Sequence, residues 1–253
     1  MTEPNYLDTP QGRRIAYHRS AGTGPGLVFL GGFVSDMEGT KALHLEDWAR
    51  AQGRAFVRFD YSGHGQSSED FIDGCVGDWT EDAMAVLEAL TEGPQVLVGS
   101  SMGGWIALLC ARAMPARVAG MVTIAAAPDF MTTSMWAELG ADGQKRVMEE
   151  GIYEIPSDYD APYRITRRMI EDGHDQTVLD KPLALEFPVR FLQGTEDEAV
   201  ETDVALRLLA HATGPDLRLT LVKGADHRFS TPECLALIES SVEQVLAATG
   251  DAR

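Results

Sequence analysis

Residues 95–104 read QVLVGSSMGG, and residues 105–114 continue as WIALLCARAM. The apolar stretch VLV is typical of a strand that is buried on both faces of a sheet. The apolar spacing after the glycines is typical of a helix. Between them lies a short turn rich in serine and glycine. The segment therefore predicts a buried strand, a sharp turn and a helix, in that order.

Two serines lie in this turn, and only one fits a strained connection between a strand and a helix. In the G-x-S-x-G pattern, the residues two before and two after the serine are small because backbones crowd there. Ser101 has Gly99 and Gly103 at these positions, whereas Ser100 would have a valine and a methionine. We therefore predict that Ser101 is a nucleophile. A turn that only packs a helix against a strand would not explain the downstream residues described below.

The rest of the chain alternates apolar, β-branched runs with helical patterns. This alternation predicts the α/β class, with a mostly parallel central sheet and helices on both faces. Further strands are predicted at 26–30, 55–59, 118–124, 189–192 and 217–222, with an antiparallel edge strand at 14–19. Helices are predicted at 40–52, 79–91, 102–114, 202–211 and 232–247.

One stretch, 129–181, interrupts the alternation. Strand patterns are missing there, and methionine, tryptophan and tyrosine residues are scattered among charges. We predict a helical cap insertion, packed over the carboxyl edge of the sheet, within a single domain that spans 1–253. Arg164, Arg167 and Arg168 form a basic cluster in this insertion. One of them could pair with a carboxylate or phosphate of a substrate; the alternative is a solvated helix face balanced by neighbouring acids.

A serine hydroxyl becomes a good nucleophile only when a base takes its proton and an anion orients that base. In this type of fold, the acid follows the serine along the chain and the histidine follows the acid. After the late strand comes QGTEDEAV, and Asp197 is the best placed acid because it lies three residues past Gly194. Glu196, Glu198 and Asp226 remain alternatives, although Asp226 adjoins the candidate histidine and is expected to point away from it.

The base and the oxyanion donors are predicted from strand ends. His227 follows the strand at 217–222, whereas the other five histidines fall on early strands, helices or the insertion. We therefore predict His227 as the general base. A tetrahedral oxyanion needs two N–H donors, one of which comes from the residue after the nucleophile, here Met102. The loop LGGF supplies the second, and we predict Phe33, with Gly32 as the alternative.

Composition excludes several classes of protein. The chain has 253 residues, of which 44% are hydrophobic and 24% charged, and its net charge is −18. It can therefore bury a large core, and its negative field disfavours nucleic acid and anionic membrane surfaces as partners. No apolar run approaches the roughly 18 residues of a membrane span. The N-terminal segment has no secretory or transit pattern, and the three cysteines are widely spaced. We therefore expect a cytoplasmic protein without disulfides.

No metal-binding or phosphate-cradling motif is present, so we expect neither a metal nor an organic cofactor. The strand–turn–helix around Ser101, with its downstream acid and histidine, instead resembles the α/β-hydrolase superfamily over nearly the whole chain. The segments 32–42, 58–68, 93–105 and 226–228, together with 155–159, are similar to a narrower family. That family comprises mitochondrial palmitoyl-protein thioesterases also described as mycophenolic acid acyl-glucuronide esterases.

This resemblance implies hydrolysis of acyl esters and thioesters, including depalmitoylation, through Ser101, Asp197 and His227 and an acyl-enzyme. Its substrates would be small-molecule esters or acyl thioesters, with S-acylated proteins as a further candidate. The lack of a leader predicts a bacterial-type, cytoplasmic homologue. Three alternatives stay open: hydrolysis of a C–C bond, cofactor-free peroxidase chemistry on the same triad, and a ligand sensor with negligible turnover. The oligomeric state is not set by the sequence.

Overall fold

The computed structural model describes residues 3–155 and 162–250. Its strands are β1 (Asn5–Asp8), β2 (Arg14–Ser20), β3 (Thr23–Leu30), β4 (Arg54–Phe59), β5 (Gln95–Ser100), β6 (Val118–Ile124), β7 (Ile152–Ile155), β8 (Tyr163–Thr166), β9 (Val189–Gly194) and β10 (Leu217–Val222). Its helices are α1 (Thr40–Ala51), α2 (Val76–Leu90), α3 (Met102–Ala113), α4 (Ser134–Glu138), α5 (Gly140–Glu150), α6 (Arg167–Asp175), α7 (Thr202–His211) and α8 (Pro232–Ala248).

The main sheet contains eight of the described strands, in the order β1-β2-β4-β3-β5-β6-β9-β10. The strands from β4 to β10 in this order are parallel, whereas β1 pairs antiparallel with β2, and β2 with β4. This arrangement confirms the predicted α/β class. The strand predicted at the edge, 14–19, lies one position inside it. The edge is β1, whose four residues are too few to show a clear alternation.

Side chains of the central strands enter two cores, one on each face of the sheet. On β3, Val28 and Leu30 join one core, and Leu27 and Phe29 join the other. Successive side chains of a strand point to opposite faces, so a continuously apolar run is what a doubly covered strand requires. Helices α2 and α3 cover the first face, and α1 and α8 cover the second.

The sequence predicts a helical insertion at 129–181, but this stretch is not purely helical. It contains α4, α5 and α6, but also the antiparallel pair β7–β8, in which Ile152 lies opposite Thr166. The two strands have four residues each, which is too short to give a clear pattern in the sequence. Residues 156–159, which contributed to the family resemblance, lie outside the described residues. The division into one domain with a cap at 129–181 stays a prediction.

Asp129 joins the two ends of this insertion. It has a left-handed backbone, with φ at 59°, and its buried carboxylate accepts hydrogen bonds from the N–H groups of Val178 (2.8 Å) and Leu179 (2.9 Å). The Trp105 indole on α3 also donates to the carbonyl of Gln176 at 3.1 Å. The insertion therefore leaves and rejoins the sheet domain at neighbouring points.

A buried carboxylate fixes the loop that follows β3. Asp60 is 1% exposed and accepts hydrogen bonds from the N–H groups of Met37 (2.6 Å) and Gln66 (2.9 Å). Burial raises the pKa of Asp60 to about 6, and the two N–H donors only partly oppose this shift. Asp60 therefore links the loop after β3 to the loop after β4 even though burial disfavours its ionised form.

We predict that this carboxyl gives the protein a pH-dependent stability. The folded-state pKa of Asp60, about 6, lies above the ordinary aspartate pKa of 3.8. The stability that Asp60 contributes is therefore complete below about pH 3.8 and is lost as the pH rises through about 6. The free energy of unfolding of the wild type, minus that of Asp60→Asn, should fall by about 2–3 kcal/mol between about pH 4 and about pH 7. Urea unfolding at several pH values measures this difference, and a pH-independent difference would contradict it.

Candidate active site

Ser101 lies in a strained turn between β5 and α3. Its backbone has φ at 53° and ψ at −119°, which is rare for a residue with a side chain. A Cβ atom on Gly99 would lie 2.4 Å from the carbonyl oxygen of Gly103, and one on Gly103 would lie 2.1 Å from that of Leu30. Neither position accepts a side chain, which explains the two glycines of the sequence pattern.

The structure brings together the three residues predicted as a triad. His227 Nε2 lies 3.2 Å from Ser101 Oγ, and His227 Nδ1 lies 2.9 and 3.0 Å from the two carboxylate oxygens of Asp197. An N–H at Nδ1 donates to the carboxylate, which leaves the Nε2 lone pair to accept the serine proton. The Asp197 side chain is fully buried, whereas that of His227 is 32% exposed. The imidazole can therefore contact a substrate while the Asp197 carboxylate stays shielded from water.

Asp197 is held ionised by several donors. Burial acts to raise its pKa, but the hydrogen bonds from His227 and from the N–H of Val200 outweigh burial and lower the pKa below its ordinary value. Gln193 Nε2 and the N–H of Ala199 also donate to the carboxylate, each at 3.0 Å. These donors fix the carboxylate plane as well as its charge.

The alternative acids are placed elsewhere. Glu196 and Glu198 are exposed, and Asp226 accepts a hydrogen bond from the N–H of Phe229 at 3.0 Å. Among the described residues, Asp197 is the acid whose carboxylate is hydrogen bonded to His227.

The loop after β3 packs against the serine. A Cβ atom on Gly32 would lie 3.5 Å from the Cβ of Ser101. The Gly32 carbonyl accepts from the N–H of Ser35 at 3.2 Å, which closes a tight turn around Phe33. Within the described parts of the chain, neither the Phe33 N–H nor the Met102 N–H donates to a protein acceptor. The oxyanion role of these two N–H groups stays a prediction.

The ring of Phe33 is the centre of an aromatic cluster that the sequence did not reveal. Its centroid lies 5.1 Å from that of Phe71, 6.1 Å from Trp79, 5.5 Å from Phe130 and 5.7 Å from Tyr163. These rings come from four other segments, two of them in the insertion, and no local sequence pattern connects them. The cluster joins the loop beside Ser101 to the insertion.

Among the described residues, two of the three arginines in the insertion have acidic partners. Arg168 pairs with Asp78 at 2.7 Å, and its guanidinium also donates to the carbonyl of Asp73. Arg164 lies 3.6 Å from Glu154. The pairing of Arg168 supports a structural role, so the hypothesis of an anion contact rests mainly on Arg167.

Among residues 3–155 and 162–250, no group of three or more histidine, cysteine, aspartate or glutamate side chains is arranged to hold a metal ion. No helix in these ranges combines the length and the apolar character needed to cross a bilayer.

Sequence comparison places this geometry in a family. Residues 27–240 match the alpha/beta hydrolase family, so the chain belongs to that family and is a hydrolase. The predicted α/β-hydrolase fold is thereby confirmed. Among curated relatives, the mitochondrial palmitoyl-protein thioesterase ABHD10 of Bos taurus is 33% identical over 97% of this chain and 80% of its own length. The Homo sapiens protein of the same name is 31% identical, with the same coverage of both chains.

Solved structures agree with this assignment. A putative hydrolase from Agrobacterium vitis S4 superposes with a TM-score of 0.91 and 38% identity, covering 96% of this chain and 98% of that one. Mouse alpha/beta hydrolase domain-containing protein 10 superposes with a TM-score of 0.89 and 32% identity, covering 97% and 99%. The similarity to the thioesterase family noted in the sequence is thus confirmed.

The relatives correct one prediction. They are named as mitochondrial proteins, which contradicts the expectation of a cytoplasmic location. That expectation came from the spacing of the cysteines and from the N-terminal residues. Cysteine spacing indicates a reducing environment, and it does not identify a compartment.

We predict that Gly103→Ala damages the site through the backbone contact with β3. The new Cβ would meet the carbonyl oxygens of Leu30 (2.1 Å) and Gly31 (2.5 Å), so the loop that carries Phe33 must move. Since losing one oxyanion donor costs about 10²–10³ in rate, kcat/KM for an ester should fall by at least about 10²-fold.

The matched control is Gly31→Ala. A Cβ atom at Gly31 would have no neighbour within 4 Å, so this variant should keep both its melting temperature and its activity. Steady-state kinetics and thermal unfolding test the pair. Wild-type activity in Gly103→Ala would show that the contact does not position the loop.

Proposed function

We propose that this hydrolase cleaves carboxylic esters or acyl thioesters through Ser101, His227 and Asp197. The observation that carries the proposal is the continuous chain of contacts from Ser101 Oγ through the imidazole to Asp197, at 3.2 Å and 2.9 Å. This arrangement supplies the nucleophile, the base and the orienting anion that acyl transfer needs.

In the first half-reaction, Ser101 Oγ attacks the acyl carbonyl carbon while its proton moves to His227 Nε2. The carbonyl oxygen becomes an oxyanion and accepts hydrogen bonds from the N–H groups of Phe33 and Met102. The carbonyl then re-forms and the bond to the alcohol or thiol breaks. The imidazolium returns its proton to that leaving group, and an acyl-serine ester remains.

In the second half-reaction, water repeats the sequence. His227 takes a proton from the water, the hydroxide oxygen attacks the acyl-serine carbon, and the same two N–H groups hold the second oxyanion. Ser101 leaves as the alcohol and recovers its proton from the imidazolium. Asp197 stays ionised throughout, because its donors lower its pKa, and it stabilises the imidazolium in both steps.

The surroundings of the serine favour an apolar acyl group. Four aromatic residues near the loop beside Ser101 are only half-buried: Phe33, Phe71, Phe130 and Tyr163. Partly exposed aromatic surface is typical of small-molecule sites, where it removes water from an apolar ligand. The relatives' name, palmitoyl-protein thioesterase, supports the same class, with long-chain acyl thioesters, including S-acylated proteins, as candidate substrates.

We predict that the wild type hydrolyses p-nitrophenyl esters and acyl-CoA thioesters, and that Ser101→Ala lowers kcat by about three to six orders of magnitude. Ser100→Ala is the matched control, since its side chain lies outside the proposed triad, and it should keep wild-type activity. A series of acyl chain lengths in both leaving-group classes gives the preference.

Three results would favour other functions. Turnover of ring-cleavage diketones without ester hydrolysis would indicate a C–C bond hydrolase. Peroxide-dependent oxidation that requires Ser101 would indicate peroxidase chemistry. A ligand-induced rise in melting temperature with negligible ester turnover would indicate a sensor.

A further inference from the structure

One lysine connects the oxyanion side of the site to the histidine side. Lys41 lies in the first turn of α1, directly after the loop that carries Phe33, and its side chain is half-buried. Its ammonium group donates a hydrogen bond to the carbonyl oxygen of Arg228, the residue that follows His227. The contact spans 187 positions of the sequence, so it is a tertiary link between two separate loops.

The turn that carries His227 is anchored to β9 without help from Lys41. The carbonyl of Ala225 accepts from the N–H of Glu196 at 3.0 Å. A Cβ atom on Gly194 would lie 2.2 Å from the same carbonyl oxygen, which shows how closely the two backbones approach. These contacts all precede His227 in the turn, so they fix its incoming side.

The outgoing side of the turn is strained. Phe229 has φ at 49°, a left-handed conformation that side chains disfavour, while its ring is fully buried in the core under α1 and α8. Its N–H donates to Asp226, a bond local to the turn. Between the buried ring of Phe229 and His227 lies the Arg228 peptide, and the bond from Lys41 holds that peptide from the side of α1.

Charges around Lys41 suit such a link. Burial lowers the pKa of Lys41, whereas the carboxylates of Asp226 and Asp197 oppose that shift by favouring the ammonium form. Arg228 disfavours the ammonium, and the Cys234 thiol on α8 favours it weakly. A cation placed between these groups and hydrogen bonded to a carbonyl is worth more than a neutral donor would be.

We propose that Lys41 is a positioning residue that holds the 225–229 turn so that His227 Nε2 stays within reach of Ser101 Oγ. The catalytic consequence rests on the function proposed above, because it assumes that His227 is the base. Lys41 does not touch the reacting atoms. It acts through the Arg228 peptide, and it couples the position of the base to α1 and to the loop that supplies an oxyanion donor.

The test compares Lys41→Met, which keeps the length of the side chain but not the donor, with Lys41→Arg, which restores a cationic donor. Since a misplacement of about 1 Å can cost about 10²-fold in rate, Lys41→Met should lower kcat by about 10- to 100-fold with little change in KM. Lys41→Arg should recover most of this loss, because a guanidinium can donate to the same carbonyl. The matched control is Lys223→Met, which changes an exposed lysine two residues before that turn and should behave as wild type.

A second readout does not depend on catalysis. Amide hydrogen exchange of the peptide that spans 223–231 should speed up in Lys41→Met and not in Lys223→Met, because the turn loses its anchor on one side. If exchange is faster in Lys41→Met but the wild type has no esterase activity, the result supports the structural link between Lys41 and the turn and rejects the proposed function. Unchanged exchange and unchanged kcat in Lys41→Met, with an active wild type, would overturn the role of Lys41.

Discussion

The close packing of backbone at the turn between β5 and α3 is the constraint on which the rest of the site depends. Ser101 can hold its strained conformation with positive φ only because the neighbouring glycines let α3 approach both β5 and the end of β3. Such strain persists only where surrounding contacts over-determine it. The same contacts place the β3 loop beside the serine, so the proposed nucleophile and the proposed oxyanion donors are positioned by one packing arrangement.

Parallel strands bring the other groups to this point. The loops after β3, β5, β9 and β10 all leave the same edge of the sheet, because parallel strands share the direction of their carboxyl ends. Asp197 and His227 therefore meet Ser101 although they lie far along the chain. The sheet fixes which loops can meet, and the hydrogen bonds of Asp197 then fix the orientation of the imidazole within that set.

The sequence predicted what depends on local pattern or on chain order. The buried strands, the glycines around Ser101 and the acid after β9 follow from spacing alone, and the structure brings the three predicted residues together. What was missed depends on contacts between distant segments. The cluster around Phe33 and the bond from Lys41 to the Arg228 carbonyl join segments with no shared pattern. The pair β7–β8 was missed because each strand is short.

The cluster around Phe33 has a consequence for specificity. Its ring contacts Phe130 and Tyr163 in the insertion, while its N–H is the proposed oxyanion donor. A change that repacks the insertion to admit a different acyl group therefore also acts on the residue that is proposed to hold the oxyanion. Since rate falls steeply when a donor moves, substitutions in the insertion are expected to alter kcat together with substrate preference. In this chain the aromatic contacts to the insertion and the proposed oxyanion donor therefore belong to one residue, Phe33.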